Sequence, residues 1–171
     1  EKTFDKVRYP KPEEMTVKLH EMDVHFMLSI WANPGDTSDD YKEFKKAGLL
    51  LPADNSYNAY LPEARKMYWQ QAKRGLFDKG VDAWWCDNSE PYAPEWTVPV
   101  KPEPSRLFDM YCREAGAHLP ALEMNSYAFY HAMGVYEGQR SVTDEKRVFN
   151  LTRSGHTGQQ RFGTVLWSGD I

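Results

Sequence analysis

Four segments of this 171-residue chain run apolar and then stop at polar groups of a kind that does chemistry. Trp31 is followed by Asn33; Cys86 by Asp87 and then Glu90; Thr152 by Arg153, Ser154 and His156; and Trp167 closely by Asp170. If the apolar runs are parallel strands, these groups share one rim, because ligands of α/β folds bind beyond the carboxyl ends of the strands. Two carboxylates, an arginine and a tryptophan on one rim suit a sugar ring. One carboxylate attacks or stabilises the anomeric carbon and the other moves a proton on the glycosidic oxygen, while guanidinium and indole hold hydroxyls and the ring face. A single strand-end aspartate is as readily a solvated loop residue. Two of them, each after a tryptophan-bearing strand, favour the catalytic reading.

Other candidates carry less. Gly155, Gly158 and Gly163 thin the loop after Arg153, but no Gly-Lys-[Ser/Thr] follows, so no phosphate loop is read there. Cys86 sits inside a strand beside Trp85 and reads as a buried, inert thiol rather than a nucleophile. His20, His25, His118, His131 and His156 show no paired spacing, and Cys86 and Cys112 form no C-x-x-C pair. Neither a zinc site nor a disulfide framework is expected, and no metal or organic cofactor is called for. Met124, Tyr127, Tyr130 and Met133 fall at helical spacing and read as core. Asn150-Leu151-Thr152 is a formal glycosylation sequon, discounted because it falls in a strand read as buried.

Composition narrows the classes. With 41% hydrophobic and 27% charged residues the chain builds a core and is not a disordered tail. The mean hydropathy of −0.71 and the lack of any apolar run near ~18 residues argue against a membrane span. A net charge of −4 and a pI near 5.7 supply no basic field for nucleic acid or an anionic bilayer. The 14% aromatic content, with six Trp and ten Tyr, serves sugar stacking and ordinary cores alike. Opening at Glu1 without an initiator Met and stopping at Ile171 straight after an apolar run, the sequence reads as an excised or partial chain. The compartment stays open, with periplasmic or secreted slightly favoured over cytoplasmic.

The elements that must position the rim alternate between helical and strand-like patterning, the sign of βα units around parallel strands. Pro12 opens a helix through Met15, Leu19 and Met22, and 24–31 (VHFMLSIW) reads as a strand covered on both faces. A turn at 33–36 leads to a short helix with Ser38 as N-cap, Tyr41 and Phe44 inward and Gly48 past its end. Residues 55–60 read as loop, 62–77 as helix and 81–86 (VDAWWC) as the second strand. The stretch 91–104, with five prolines, is irregular; helices are expected over 106–115 and 119–133, and strands over 147–152 and 162–167. A doubly wound open sheet and part of a (β/α)8 barrel both fit, a whole barrel taking ~250 residues.

WWCDNSEP at 84–91 and RSGHTGQQRFGTVLWSGD at 153–170 resemble two motif blocks of family thirty-one of the glycoside hydrolases. The first is similar to W-x-D-x-x-E-P, the second to R-S-x(n)-G-x-x-R-[FYW]…W-x-G-D. These enzymes are retaining α-glycosidases, mostly α-glucosidases and α-xylosidases, on a (β/α)8 barrel. The resemblance covers nearly the whole chain and implies that 1–171 is a fragment of one catalytic barrel, with strands about three to six and their helices. It makes Asp87 the nucleophile, Asp170 the acid/base, Arg153 a ligand of sugar hydroxyls and Glu90 a support of the loop. Trp31 in SIWANP resembles the aromatic lining the subsite of the non-reducing sugar, and Trp85 and Trp167 join it as substrate-binding residues. The family's early-strand Asp and late-strand His have no position here, and Cys86 and Asn88 depart from what many relatives carry.

The expected activity is hydrolysis of terminal non-reducing α-linked glucosyl or xylosyl residues from oligosaccharides by retaining double displacement. The expected partners are the oligosaccharide and the remainder of the barrel, with no nucleic acid or membrane. A transglycosidase of the same family shares every residue named. A catalytically inactive carbohydrate-binding relative would keep the aromatics and Arg153 but would not need both acids.

Overall fold

Four short parallel strands lie side by side in chain order: β1 (Met27–Trp31), β2 (Ala83–Asp87), β3 (Asn150–Thr152) and β4 (Thr164–Leu166). A doubly wound sheet reverses its strand order at a switch point, whereas a barrel wall advances one strand at a time. The computed structural model, which describes residues 2–52 and 56–169, shows the second pattern. Helix α1 (Pro12–Glu21) precedes β1; α2 (Asp39–Ala47) and α3 (Pro62–Gly75) link β1 to β2; α4 (Pro104–His118) and α5 (Tyr127–Arg140) link β2 to β3. The last crossover carries only a 3₁₀ turn (Gln159–Phe162).

Helices cover one face of the sheet. Trp84 of β2 is fully buried there, its ring edge-on to Trp69 of α3 at 5.8 Å and its Nε1–H donating to Gln139 Oε1 of α5 at 2.9 Å. Asn150 of β3 points the same way, donating to the Phe162 carbonyl at 3.0 Å and that of Ala132 at 3.4 Å. The buried sequon asparagine is thus consumed by backbone acceptors. Of the four expected core positions, Tyr127 of α5 is buried, and Tyr130 of α5 and Met124 in the turns before it pack on the core from its edge, whereas Met133 is only half-buried and stands outside that cluster.

Local signals fix several helix ends. Ser38 Oγ accepts from the Tyr41 N–H at 3.1 Å, and Gly48 closes α2 with φ 67°, a left-handed conformation that favours glycine. Prolines open α1, α3 and α4, where a missing N–H costs nothing.

Other boundaries differ from expectation. The strand expected over 24–31 begins at Met27, because Asp23 and Val24 close α1 by donating to the His20 and Leu19 carbonyls. The helix expected over 119–133 begins at Tyr127, since 121–125 form turns, and runs on to Arg140. Its Gly134 and Gly138 do not end it; they let α3 approach, a Cβ at 138 falling 2.2 Å from Trp69 Cγ. The strands are also not all covered on both faces. Ser29 and Trp31 of β1 and Val165 of β4 are exposed on the face opposite the helices, over which no layer lies among the described residues, and Leu166, on the helix side of β4, is exposed at the sheet edge.

Candidate active site

Register decides which strand-end residues meet. Trp31 pairs with Asp87, Cys86 with Thr152, and Thr152 with Leu166. One residue further along β2, β3 and β4 stand Asp87, Arg153 and Trp167, so with Trp31 these four share one level on the concave face. Side chains alternate along a strand, which puts Trp84 and Cys86 among the helices and Trp85 and Asp87 on the open side. Trp85 sits one level lower and meets Trp167 edge-to-face at 5.6 Å. Five of the expected site residues therefore line one surface.

Polar contacts tie the rim together. Arg153 spans two carboxylates: its Nη1 is 3.5 Å from Asp87 Oδ1, and its Nε–H donates to Glu90 Oε1 at 3.1 Å. The Ser154 hydroxyl donates to that same Glu90 oxygen. The Asn88 N–H donates to Asp87 Oδ1 at 2.8 Å. Gly169 lies against Arg153, where a Cβ would come 3.7 Å from Nε. Asp170, the expected acid/base, lies outside the described residues.

Several contacts were not foreseen from sequence, although Asn33 stands out there as the polar group after Trp31. Tyr68 of α3 donates to the Trp31 carbonyl at 2.9 Å and so braces the end of β1 from below. Tyr68 stacks on Tyr57 at 4.5 Å, and Tyr57 shares a hydrogen bond with His131, whose imidazole burial pushes down to about 3 and keeps neutral. Buried Ser89 and Thr152 join their hydroxyls at 3.0 Å, stitching the loop after β2 to β3. Asn33, in the turn after β1, accepts from the Asn88 side chain. None of these contacts was visible along the chain, because in each the partner is remote in sequence.

Two side chains from the same strand ends take no part. Cys86 faces the helices, and burial pushes its thiol far above the ordinary range, which makes it inert. His156 packs edge-on to Phe129, and its Nδ1 shares a hydrogen bond with the Thr157 carbonyl at 3.0 Å. Among the described residues no group of three or more His, Cys, Asp or Glu converges as a metal site requires.

A carboxylate pair bridged by arginine, on the concave wall of a parallel sheet and flanked by tryptophans, invites comparison with sugar enzymes. A family model for the glycosyl hydrolases family 31 TIM-barrel domain matches residues 1–171. The chain belongs to glycosyl hydrolases family 31. An alpha-xylosidase of Saccharolobus solfataricus is 34% identical over 168 residues, covering 98% of this chain and 22% of that protein. Alpha-xylosidase A of Aspergillus niger is 26% identical over 189 residues, covering 95% of this chain and 25% of that protein.

Among solved structures, a family 31 alpha-xylosidase from Xanthomonas citri superposes with a TM-score of 0.80 at 31% identity, over 99% of this chain and 19% of that one. An alpha-xylosidase from a soil metagenome, complexed with xylose, gives 0.80 at 29% identity, over 99% and 25%. The chain thus spans about a fifth to a quarter of the length of these family 31 relatives. Its four-stranded wall is a portion of the TIM barrel, and the doubly wound alternative falls away.

Proposed function

We propose that this chain carries the catalytic rim of a retaining α-glycosidase acting on terminal non-reducing α-linked glucosyl or xylosyl residues of oligosaccharides. The observation that carries the reading is the Asp87–Arg153–Glu90 chain of contacts, set on one level with Trp31 and Trp167. Similarity to proteins named alpha-xylosidase supports the sugar class. In the first step the Asp87 carboxylate attacks the anomeric carbon. The bond to the leaving oxygen breaks, and that oxygen takes the proton of Asp170. Asp170 then deprotonates a water, whose oxygen displaces Asp87 from the glycosyl ester; two inversions give net retention. Arg153 holds sugar hydroxyls and the nucleophile together, and the indoles pack on the ring face.

The concave face also explains why the reading needs more barrel than these four strands. Trp85, Phe149 and Val165 are exposed on it, and β1 and β4 leave open backbone edges. We assign those surfaces to the remaining strands of the barrel.

The test uses the full-length enzyme and a mechanism-based fluorosugar that accumulates the glycosyl-enzyme. Asp87→Ala is expected to trap nothing with any substrate. Asp170→Ala is expected to keep partial glycosylation with an α-glycosyl fluoride, whose leaving group needs little protonation, and to be rescued by azide. Label found on Glu90 reassigns the nucleophile, and trapping that survives in Asp87→Ala overturns the mechanism. Product analysis with an added sugar acceptor separates hydrolysis from transfer.

A further inference from the structure

The turn that carries Asp87 is held in an uncommon shape. Asn88 has φ 50°, in the left-handed region that residues with a Cβ occupy at a cost, and it is 4% exposed. In that conformation its backbone N–H reaches back to Asp87 Oδ1 at 2.8 Å. Its side-chain Nδ2 donates to Oδ1 of Asn33, in the loop that follows the neighbouring strand. Asn33 stands two residues past Trp31, the register partner of Asp87, so the amide bridge joins two adjacent strand ends at the level of the rim. Asparagine suits the position on two counts: it tolerates the left-handed region better than most residues, and its amide supplies the donor. The Arg153 Nη1 contact, at 3.5 Å, falls on the same Asp87 oxygen as the Asn88 N–H. Among the described residues no hydrogen bond reaches Oδ2.

We propose that the Asn33–Asn88 bridge is a positioning device for the nucleophile: it locks Asn88 left-handed, so that Asp87 Oδ1 is held and Oδ2 faces the anomeric carbon. Neither asparagine touches the sugar. Both act through Asp87, and the inference rests on Asp87 being the nucleophile. In the trapping reaction Oδ2 forms the bond to the anomeric carbon as the carbon–fluorine bond breaks and fluoride departs. A carboxylate free to rotate presents this oxygen only part of the time, which slows the attack without weakening sugar binding.

The experiment measures the inactivation rate and the apparent affinity for the fluorosugar in the full-length enzyme, with kcat and KM on an aryl α-glycoside. Asn33→Ala removes the acceptor, and Asn88→Gly keeps the left-handed backbone while removing the donor. Each is expected to lower kcat and the inactivation rate about tenfold or more while KM stays within twofold. The double variant is expected to be no slower than the worse single, because both remove one bond. Asn33→Asp keeps an acceptor oxygen and is expected to recover most of the loss, a rescue that also separates positioning from misfolding. A kcat for Asn33→Ala within twofold of the unsubstituted enzyme, a loss expressed in KM alone, multiplying effects in the double variant, or an Asn33→Asp as slow as Asn33→Ala each overturn the proposal. Asp87→Ala runs alongside: if it is still trapped, the nucleophile assignment has failed, whatever the asparagines do.

Discussion

Replacing Arg153 by lysine keeps the charge and removes the shape. The guanidinium reaches Asp87 Oδ1 with Nη1 at 3.5 Å and Glu90 Oε1 with Nε at 3.1 Å, two directions that one ammonium cannot serve together. The variant therefore gives up one charge-assisted contact, worth ~1.5–3 kcal/mol when water is excluded. The side chains involved are 18%, 22% and 24% exposed, so solvent takes part of that value and the lower half of the range applies. A loss near ~1.5–2 kcal/mol is about a 10- to 30-fold fall in kcat/KM. The assay is steady-state hydrolysis of an aryl α-xyloside and α-glucoside by the full-length enzyme, with the thermal midpoint recorded for each variant. If Arg153→Lys runs within twofold on both substrates, the fork geometry contributes nothing and the arginine is structural. A fall in activity matched only by a collapse of the thermal midpoint refutes the reasoning equally.

Gly138→Ala drives a methyl to within 2.2 Å of Trp69, whose ring is wedged against Trp84, and overpacking of this kind costs about 1–3 kcal/mol. A lowered thermal midpoint of the full-length enzyme is expected; an unchanged one shows that α3 and α5 part freely. Iodoacetamide is expected to alkylate the partly exposed Cys112 in the native protein and to spare Cys86 until unfolding, since burial holds that thiol protonated and out of reach. Equal labelling rates, read by peptide mass, contradict the buried placement.

The rim was legible in the chain because its information is local. An apolar run that ends in a polar residue marks a strand end, and parallel strands deliver their ends to one side, so Trp31, Asp87 and Arg153 were placed on one rim without any contact being known, while Trp167 came from the family resemblance and Asp170 lies outside the described residues. The caps of α2 were legible for the same reason, since Ser38 bonds to a backbone three residues on and Gly48 needs only its own φ. Where the deciding partner is remote, reading along the chain failed. Gly134 and Gly138 resemble helix breakers until α3 lies against them. An apolar run states that a strand has a partner layer but not on which face, so β1 read as covered on both sides when its concave face is bare. Asn33 read as a polar group at one strand end and Asn88 as a departure within the WWCDNSEP block, with nothing to pair them; register sets their loops side by side, and only there does one amide meet the other. Backbone capping acts over a few residues and is written in their order. Side-chain contacts between strand ends depend on how sheet and helices pack, and that packing is a property of the assembled fold.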